Sequence, residues 1–163
     1  MKKAKIIFLI ILITILLFKS ISTIYTTNVQ VSEQFDSILK VELGKIEIPS
    51  VSIDNIVVEG TKKEVLDQNY VGHVKESSLD FNKTIILAGH NNKKVFKRLK
   101  ELKKQDEIYL TIYQETRKYC VISNLEIEDT NYTYFKDIKD TLILITCTKD
   151  ELKRRIIVAK VCV

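Results

Sequence analysis

The sequence is poor in the residues that break regular structure: one proline and four glycines among 163 positions. Together with 45% apolar and 29% charged residues, that scarcity argues against a disordered or low-complexity chain. Histidine is limited to His73 and His90, and cysteine to Cys120, Cys147 and Cys162. A zinc site built from His73, His90 and Cys147 has no C-x-x-C or H-x-x-x-H spacing behind it. P-loop, dinucleotide-binding and Gly-x-Ser-x-Gly motifs are all missing. So are internal repeats and any linker that would divide the chain. The length suits one domain with a substantial core and is too short for two ordinary ones.

A net charge of +5 raises the question of nucleic acid, and its distribution answers it. Lys2, Lys3, Lys5 and Lys19 stand in the first 25 residues with no acid among them, so the remainder carries a net charge of only +1. The excess belongs to the N-terminus, and no phosphate-binding face is expected. After the first lysines comes an apolar run from Ile6 to Phe18, interrupted by Thr14 and extended more weakly through Ile21, Ile24 and Tyr25. It lacks an Ala-x-Ala cleavage signal. The expected reading is a single-pass anchor over 6–25 within an N-terminal segment 1–25, with the positive flank cytoplasmic and the remainder outside. A cleaved signal is the alternative.

Past the anchor, Val31, Phe35, Ile38 and Leu39 fall at helical spacing and predict a juxtamembrane helix or linker over 26–41. The rest, 42–163, reads as one domain. Strands are expected near Gly44–Ile48, Ile56–Val58, Glu107–Tyr113, Lys118–Ser123, Thr141–Thr146 and Arg154–Val163. Thr84–Ala88 is a continuous apolar run of the kind buried on both faces. A short helix capped by Thr61 is expected over Thr61–Asn69. A second should carry Val95, Phe96, Leu99 and Leu102 on one face and lysines on the other. Residues 124–140 read as mostly loop. The pattern is mostly β and favours a closed, eight-stranded barrel with two or three peripheral helices.

An exported protein built on disulfides usually has an even number of cysteines, so at least one thiol here is free. Cys120 and Cys162 lie inside strand-like runs and read as packing residues. Cys147 differs: it ends the apolar run Leu144-Ile145-Thr146 and borders a polar loop. His90 is placed the same way, after Leu87-Ala88-Gly89, where glycine removes a side chain beside the imidazole. Neighbouring strands would bring both to one rim. Nucleophilic cysteine chemistry needs a thiolate, an imidazole to exchange protons, and a donor for the oxyanion. Arg154 and Arg155 open the last strand and point to opposite faces, so one of them can supply that donor. The competing reading makes His90 a polar loop residue, Cys147 a core thiol and the arginines solvated edge charges.

These residues resemble a known family. Leu87-Ala88-Gly89-His90 is similar to the catalytic histidine motif of sortases, and Leu144-Ile145-Thr146-Cys147 to the end of their Thr-Leu-x-Thr-Cys signature. Arg154-Arg155-Ile156-Ile157-Val158-Ala159 resembles their catalytic arginine strand, where a small residue follows the arginine by five positions. That spacing selects Arg154. Gly44-Lys45-Ile46-Glu47-Ile48-Pro49, Gly72-His73 and Phe96-x-x-Leu99 add to the likeness. Two departures are Ile143 at the signature's first Thr, and Gln105-Asp106 where Gly-Asp is usual.

The resemblance implies a sortase-like barrel and a transpeptidase that cleaves a Leu-Pro-x-Thr-Gly-like sorting signal between Thr and Gly. Cys147 would be the nucleophile, Arg154 the oxyanion donor and His90 the acid and base. Ala88, Ile145 and Thr146 would contact the signal. Partners would be surface proteins or pilins bearing the signal, and a peptidoglycan precursor or another amine acceptor such as a pilin lysine. His73 matches a non-catalytic position. No cofactor or metal is expected, and Glu126, Glu128 and Asp129 leave calcium dependence open. A hydrolytic cysteine peptidase or amidase, and a non-catalytic tethered binding module, are the alternatives.

Overall fold

A computed structural model describes residues 13–26, 41–128, 138–149 and 152–162. The chain divides into two compact units, 1–40 and 41–163. In the first, residues 13–26 form a helix, α1. Its apolar side chains, Leu17, Phe18 and Tyr25 among them, are exposed. Ser20 and Thr23 donate their hydroxyls to the carbonyls of Leu16 and Lys19, four residues back. Among the described residues no helix is long and apolar enough to cross a membrane. Residues 6–12 of the expected anchor, and the juxtamembrane helix expected over 26–41 apart from its first and last residues, lie outside the described residues.

The second unit is a closed barrel of eight strands: β1 (Glu42–Ile48), β2 (Ile53–Glu59), β3 (Val71–His73), β4 (Thr84–Ala88), β5 (Glu107–Ile112), β6 (Glu115–Glu128), β7 (Thr141–Cys147) and β8 (Lys153–Val161). Around the barrel the order is β1-β2-β3-β4-β7-β8-β6-β5, with β5 pairing β1 to close it. The pairs β2–β3 and β4–β7 are parallel, and the other six are antiparallel. Closure gives every described strand a partner on each side, with β3 the shortest link, pairing Val57–Glu59 of β2 and Leu87–Ala88 of β4.

Sequence alternation decides which strands have one buried face and which have two. β5 alternates half-buried and buried residues, as a strand with one wet face must. β4 and β7 do not alternate, and nearly every residue in them is buried. Their inward residues Ile85, Leu87, Leu142 and Leu144 join the barrel core. Their outward residues Ile86, Ile143 and Ile145 form a second apolar cluster with Ile156 and Val158 of β8. Ile143, one of the two departures from the resembled motifs, is fully buried in that outer cluster.

Three short helical segments flank the strands, and they refine the expectations. α2 spans only Lys63–Leu66, and its N-cap is Lys62 rather than Thr61. The second expected helix is a 3₁₀ segment, Lys97–Glu101. Its buried face is the expected one, with Val95, Phe96, Leu99 and Leu102 all inside. A third, Pro49–Val51, is also 3₁₀ and links β1 to β2. β6 runs on to Glu128, so residues 124–128 are strand and not loop.

Cys120 and Cys162 are not packing residues: they form a disulfide, with Cα atoms 5.2 Å apart. Tyr119 pairs with Val161 and Cys120 with Lys160. Two residues past Lys160, Cys162 therefore lies diagonally beside Cys120 on the same face of adjacent strands. Tyr119 and Val121 on the other face are fully buried, which turns Cys120 outward. Cys147 is left as the free thiol.

Without reductant the protein should titrate one thiol, and three after reduction and unfolding. Replacing Cys120 and Cys162 by serine should cost about 3–4 kcal/mol in denaturant unfolding, given a closed loop between the 15- and 100-residue reference lengths. Gln105 adopts a left-handed backbone (φ 74), which accounts for the glycine of the resembled motif. Gln105→Gly should raise stability by about 1 kcal/mol, since the left-handed cost of an L side chain exceeds glycine's entropic cost.

Candidate active site

β4 and β7 run parallel with Ala88 opposite Ile145, and the pairing continues one step as the Gly89 N–H donates to the Ile145 carbonyl at 3.1 Å. His90 and Cys147 each follow that pair by two residues. The register alone thus carries the imidazole and the thiol to the same rim of the barrel. Both line one cavity of about 640 Å³ there, together with Phe96, Thr146 and Arg155. His73 is not part of it. That ring is buried on β3 between Glu59 (3.1 Å from Nδ1) and the Ser77 hydroxyl (3.0 Å from Nε2), a structural position.

The chain turns sharply after β4. The His90 carbonyl accepts the N–H groups of Asn92 and Phe96, at 2.9 and 3.1 Å. Asn92 Oδ1 accepts those of Lys94 and Val95, at 2.9 and 3.1 Å. The turn folds Val95 and Phe96 back onto Gly89. A Cβ at Gly89 would stand 2.6 Å from Val95 Cγ1 and 2.9 Å from Phe96 Cδ2. Glycine is required here for close packing under the turn, and not to clear space beside the imidazole.

β7 and β8 are antiparallel, with Cys147 opposite Arg154 and Thr146 opposite Arg155. Arg154 Nη1 donates to Cys147 Sγ at 3.3 Å. Arg155 points to the other face, where Nη1 donates to Asn124 Oδ1 at 2.6 Å and Nη2 pairs with Glu126. Asn124 in turn donates to the carbonyls of Leu99 and Leu102, each at 3.0 Å, and so ties the 3₁₀ segment to β6. Arg155 is a brace of the cavity wall; Arg154 is the guanidinium that meets the thiol.

The three residues expected at a substrate surface divide between two faces. Ala88 and Ile145 belong to the outer apolar cluster, on the Cys147 and Arg154 side. Thr146 faces the cavity, and its buried hydroxyl has no hydrogen-bond partner among the described residues. Among the described residues no group of three His, Cys, Asp or Glu side chains is arranged to hold a metal ion. Glu126 is engaged by Arg155, and Asp129 lies outside the described residues.

One close neighbour of the site has no signal in the sequence. Asp67, directly after α2, places Oδ1 2.9 Å from His90 Nε2 and Oδ2 3.1 Å from Lys63 Nζ. The hydrogen bond from His90, and then that from Lys63, hold the Asp67 carboxyl below the usual aspartate range. Asp67 and His90 are 23 residues apart, so no local pattern links them.

A family model described as Sortase domain matches residues 46–162. Sortase D of Bacillus subtilis is 35% identical over 107 residues, covering 64% of this chain and 53% of that protein. Sortase A of Bacillus anthracis is 34% identical over 122 residues, covering 71% and 57%. The chain thus spans about half the length of these curated relatives. Among solved structures, sortase A of Corynebacterium diphtheriae (a lid mutant) aligns with a TM-score of 0.71 at 25% identity, over 76% of this chain and 72% of that one. Sortase A of Listeria monocytogenes aligns with a TM-score of 0.70 at 27% identity, over 76% and 88%.

Gly89→Ala tests the packing under the histidine turn. Overfilling a tight site costs about 1–3 kcal/mol, so the variant should unfold at correspondingly lower denaturant. The His90 ring resonances should move as well, since the turn must shift to admit the methyl group.

Proposed function

The chain belongs to the sortase family, and from that footing we propose that it is an exported, membrane-anchored cysteine transpeptidase in which Cys147, His90 and Arg154 do the chemistry. The observation that carries this reading is the 3.3 Å contact of Arg154 Nη1 with Cys147 Sγ, on a rim that also holds His90. A guanidinium beside sulfur stabilises the negative charge the nucleophile needs and is placed to donate to a carbonyl oxygen as charge builds on it. The sulfur adds to the Thr carbonyl of a Leu-Pro-x-Thr-Gly-like signal. The tetrahedral intermediate collapses to a thioester as His90 gives a proton to the departing glycine amine. An acceptor amine then gives a proton to His90, attacks the thioester carbonyl and displaces the sulfur.

The two faces of the rim suit two substrates. Ala88, half-buried at the edge of the outer apolar cluster and beside the buried Ile145, is the position open to the Leu-Pro end of a sorting signal. The cavity on the other face, with Thr146 at its wall, is where the acceptor amine would enter. Lys97, Lys100 and Lys149 line that cavity, and its acid Glu126 is already paired with Arg155. A positive lining favours an amine that carries carboxylate or phosphate nearby, as a peptidoglycan precursor does, over a pilin lysine in a basic setting. The N-terminal anchor over 6–25 rests on the apolar run of the sequence; in its described part the apolar side chains of α1 are exposed, and hydroxyls bond back to the helix's own carbonyls.

Single-turnover acylation by a sorting peptide tests the assignment. Cys147→Ala should abolish acyl-enzyme. Arg154→Ala should slow its formation about 10²–10³-fold, the usual cost of a lost oxyanion donor, and Arg154→Lys should recover little. Arg155→Ala should keep most of the rate and lose about 1–3 kcal/mol of stability through its unsatisfied partners. A fully active Arg154→Ala alongside an inactive Arg155→Ala would overturn the assignment. Adding an amine acceptor should divert product from hydrolysis to transfer; a product mixture indifferent to the amine would identify a hydrolase.

A further inference from the structure

We propose that Asp67 is the positioning residue of His90: it fixes the ring's tautomer and orientation and balances the positive charge that the ring carries between taking up one proton and giving up another. The inference rests on the transpeptidase reading above, because it concerns how that reaction's acid and base is held.

A carboxylate only accepts hydrogen bonds. With Asp67 Oδ1 at 2.9 Å from His90 Nε2, that nitrogen must carry a hydrogen. The neutral ring is then the Nε2–H tautomer, and its lone pair sits on Nδ1. Nδ1 is therefore the atom that takes a proton from the acceptor amine and returns one to the leaving amine. When it does so, the ring becomes cationic with a carboxylate already in contact. The charge-stabilising group is in place before the proton arrives, which is the condition for it to lower a barrier.

The contact belongs to a built frame. Two residues on from the Asp67–His90 pair, Asn92 Nδ2 donates to Asn69 Oδ1 at 3.0 Å. The segment after α2 and the turn after β4 are thus joined by two rungs, 67 to 90 and 69 to 92. Asn55 of β2 adds a clamp across both segments, donating to the Asn69 and Lys94 carbonyls at 3.0 Å each. Asn69 itself is left-handed (φ 66), a conformation that asparagine tolerates better than most residues. On the far side of Asp67, Lys63 occupies the second carboxylate oxygen at 3.1 Å and limits rotation of the group. The side chains of His90 and Asp67 are 39% and 48% exposed, and even a fully charged pair so exposed adds little to stability. Stability therefore does not account for the arrangement, and a substitution here can be read as chemistry without unfolding the protein.

The test uses the full chain with Asp67→Asn, Asp67→Ala and Asp67→Glu. Acylation by a sorting peptide should lose roughly tenfold or more in kcat with Asn or Ala, short of the ~10⁴ of a buried triad aspartate. KM and the thermal midpoint should stay near those of the parent, and Glu should restore part of the rate. Independently of any activity, ¹⁵N spectra should show His90 of the parent as the Nε2–H tautomer and a lower Nε2–H fraction in Asp67→Asn, whose amide can donate to that nitrogen. An Nδ1–H ring in the parent overturns the proposal. So do parental kcat and tautomer in the Asn and Ala variants, or a rate loss matched by an equal loss of stability. If the parent forms no acyl-enzyme, the transpeptidase reading fails, and the spectra still decide whether Asp67 sets the state of His90.

Discussion

The parallel pairing of β4 with β7 is the constraint on which the rest of the site depends. Parallel neighbours lie about 4.8 Å apart, and equivalent residues on them share a face. With Ala88 set against Ile145, positions two further along each strand must come to the same rim. Those positions are His90 and Cys147. Two groups 57 positions apart in sequence are thus brought together by a hydrogen-bond register, and neither depends on a flexible loop for its place. The register is itself secured by burial on both faces. A slip of β7 by one residue against both its neighbours would exchange its inward Leu142 and Leu144 with its outward Ile143 and Ile145, and would turn Cys147 away from Arg154.

The next strand adds the third group by the same logic and separates it from its neighbour. Adjacent residues on β8 face opposite ways, so two consecutive arginines serve two purposes. Arg154 meets the thiol, while Arg155 braces β8 to Asn124 and Glu126 of β6 and, through Asn124, to the 3₁₀ segment. The disulfide between Cys120 and Cys162 fastens those same two strands near the end of β8. The strand that carries Arg154 is therefore tied to β6 by a charged brace near its start and by a covalent bond near its end.

How much of this was legible in the sequence depended on the range of the interaction. Thr84–Ala88 coincides with β4, because a strand buried on both faces leaves a continuous apolar run with glycine after it. His90, Cys147 and the arginine pair were visible because each stands at the end of such a run, and the motif spacing singled out Arg154. The helix expected around Val95–Leu102 has the right buried face in a tighter form, since a spacing of three and four residues is shared by α and 3₁₀ turns. Cys120 and Cys162 read as packing residues because their pairing comes from the β6–β8 register, which one strand's alternation does not contain. Asp67 gave no signal at all: its partner is 23 residues away, and its position depends on how α2 closes against the turn after β4.

The site's exposure also follows from where it stands. Inside the barrel, thiol and imidazole would be covered on all sides, and a protein substrate could not reach them. On a free loop they would be reachable but held in no fixed geometry. The first residues beyond a fully buried strand pair escape both problems: the backbone is held by sheet hydrogen bonds while the side chains emerge where the sheet stops. There the surroundings differ on the two sides of the sheet, apolar beneath Ala88 and Ile145, polar and cationic beside Thr146 and Lys97. A transfer reaction needs its second substrate to arrive while the first is still attached. Under the proposed reaction, a thiol at the edge of a sheet with two unlike faces would meet that need, because an acyl chain entering beside the half-buried Ala88 would leave the polar cavity open to the amine.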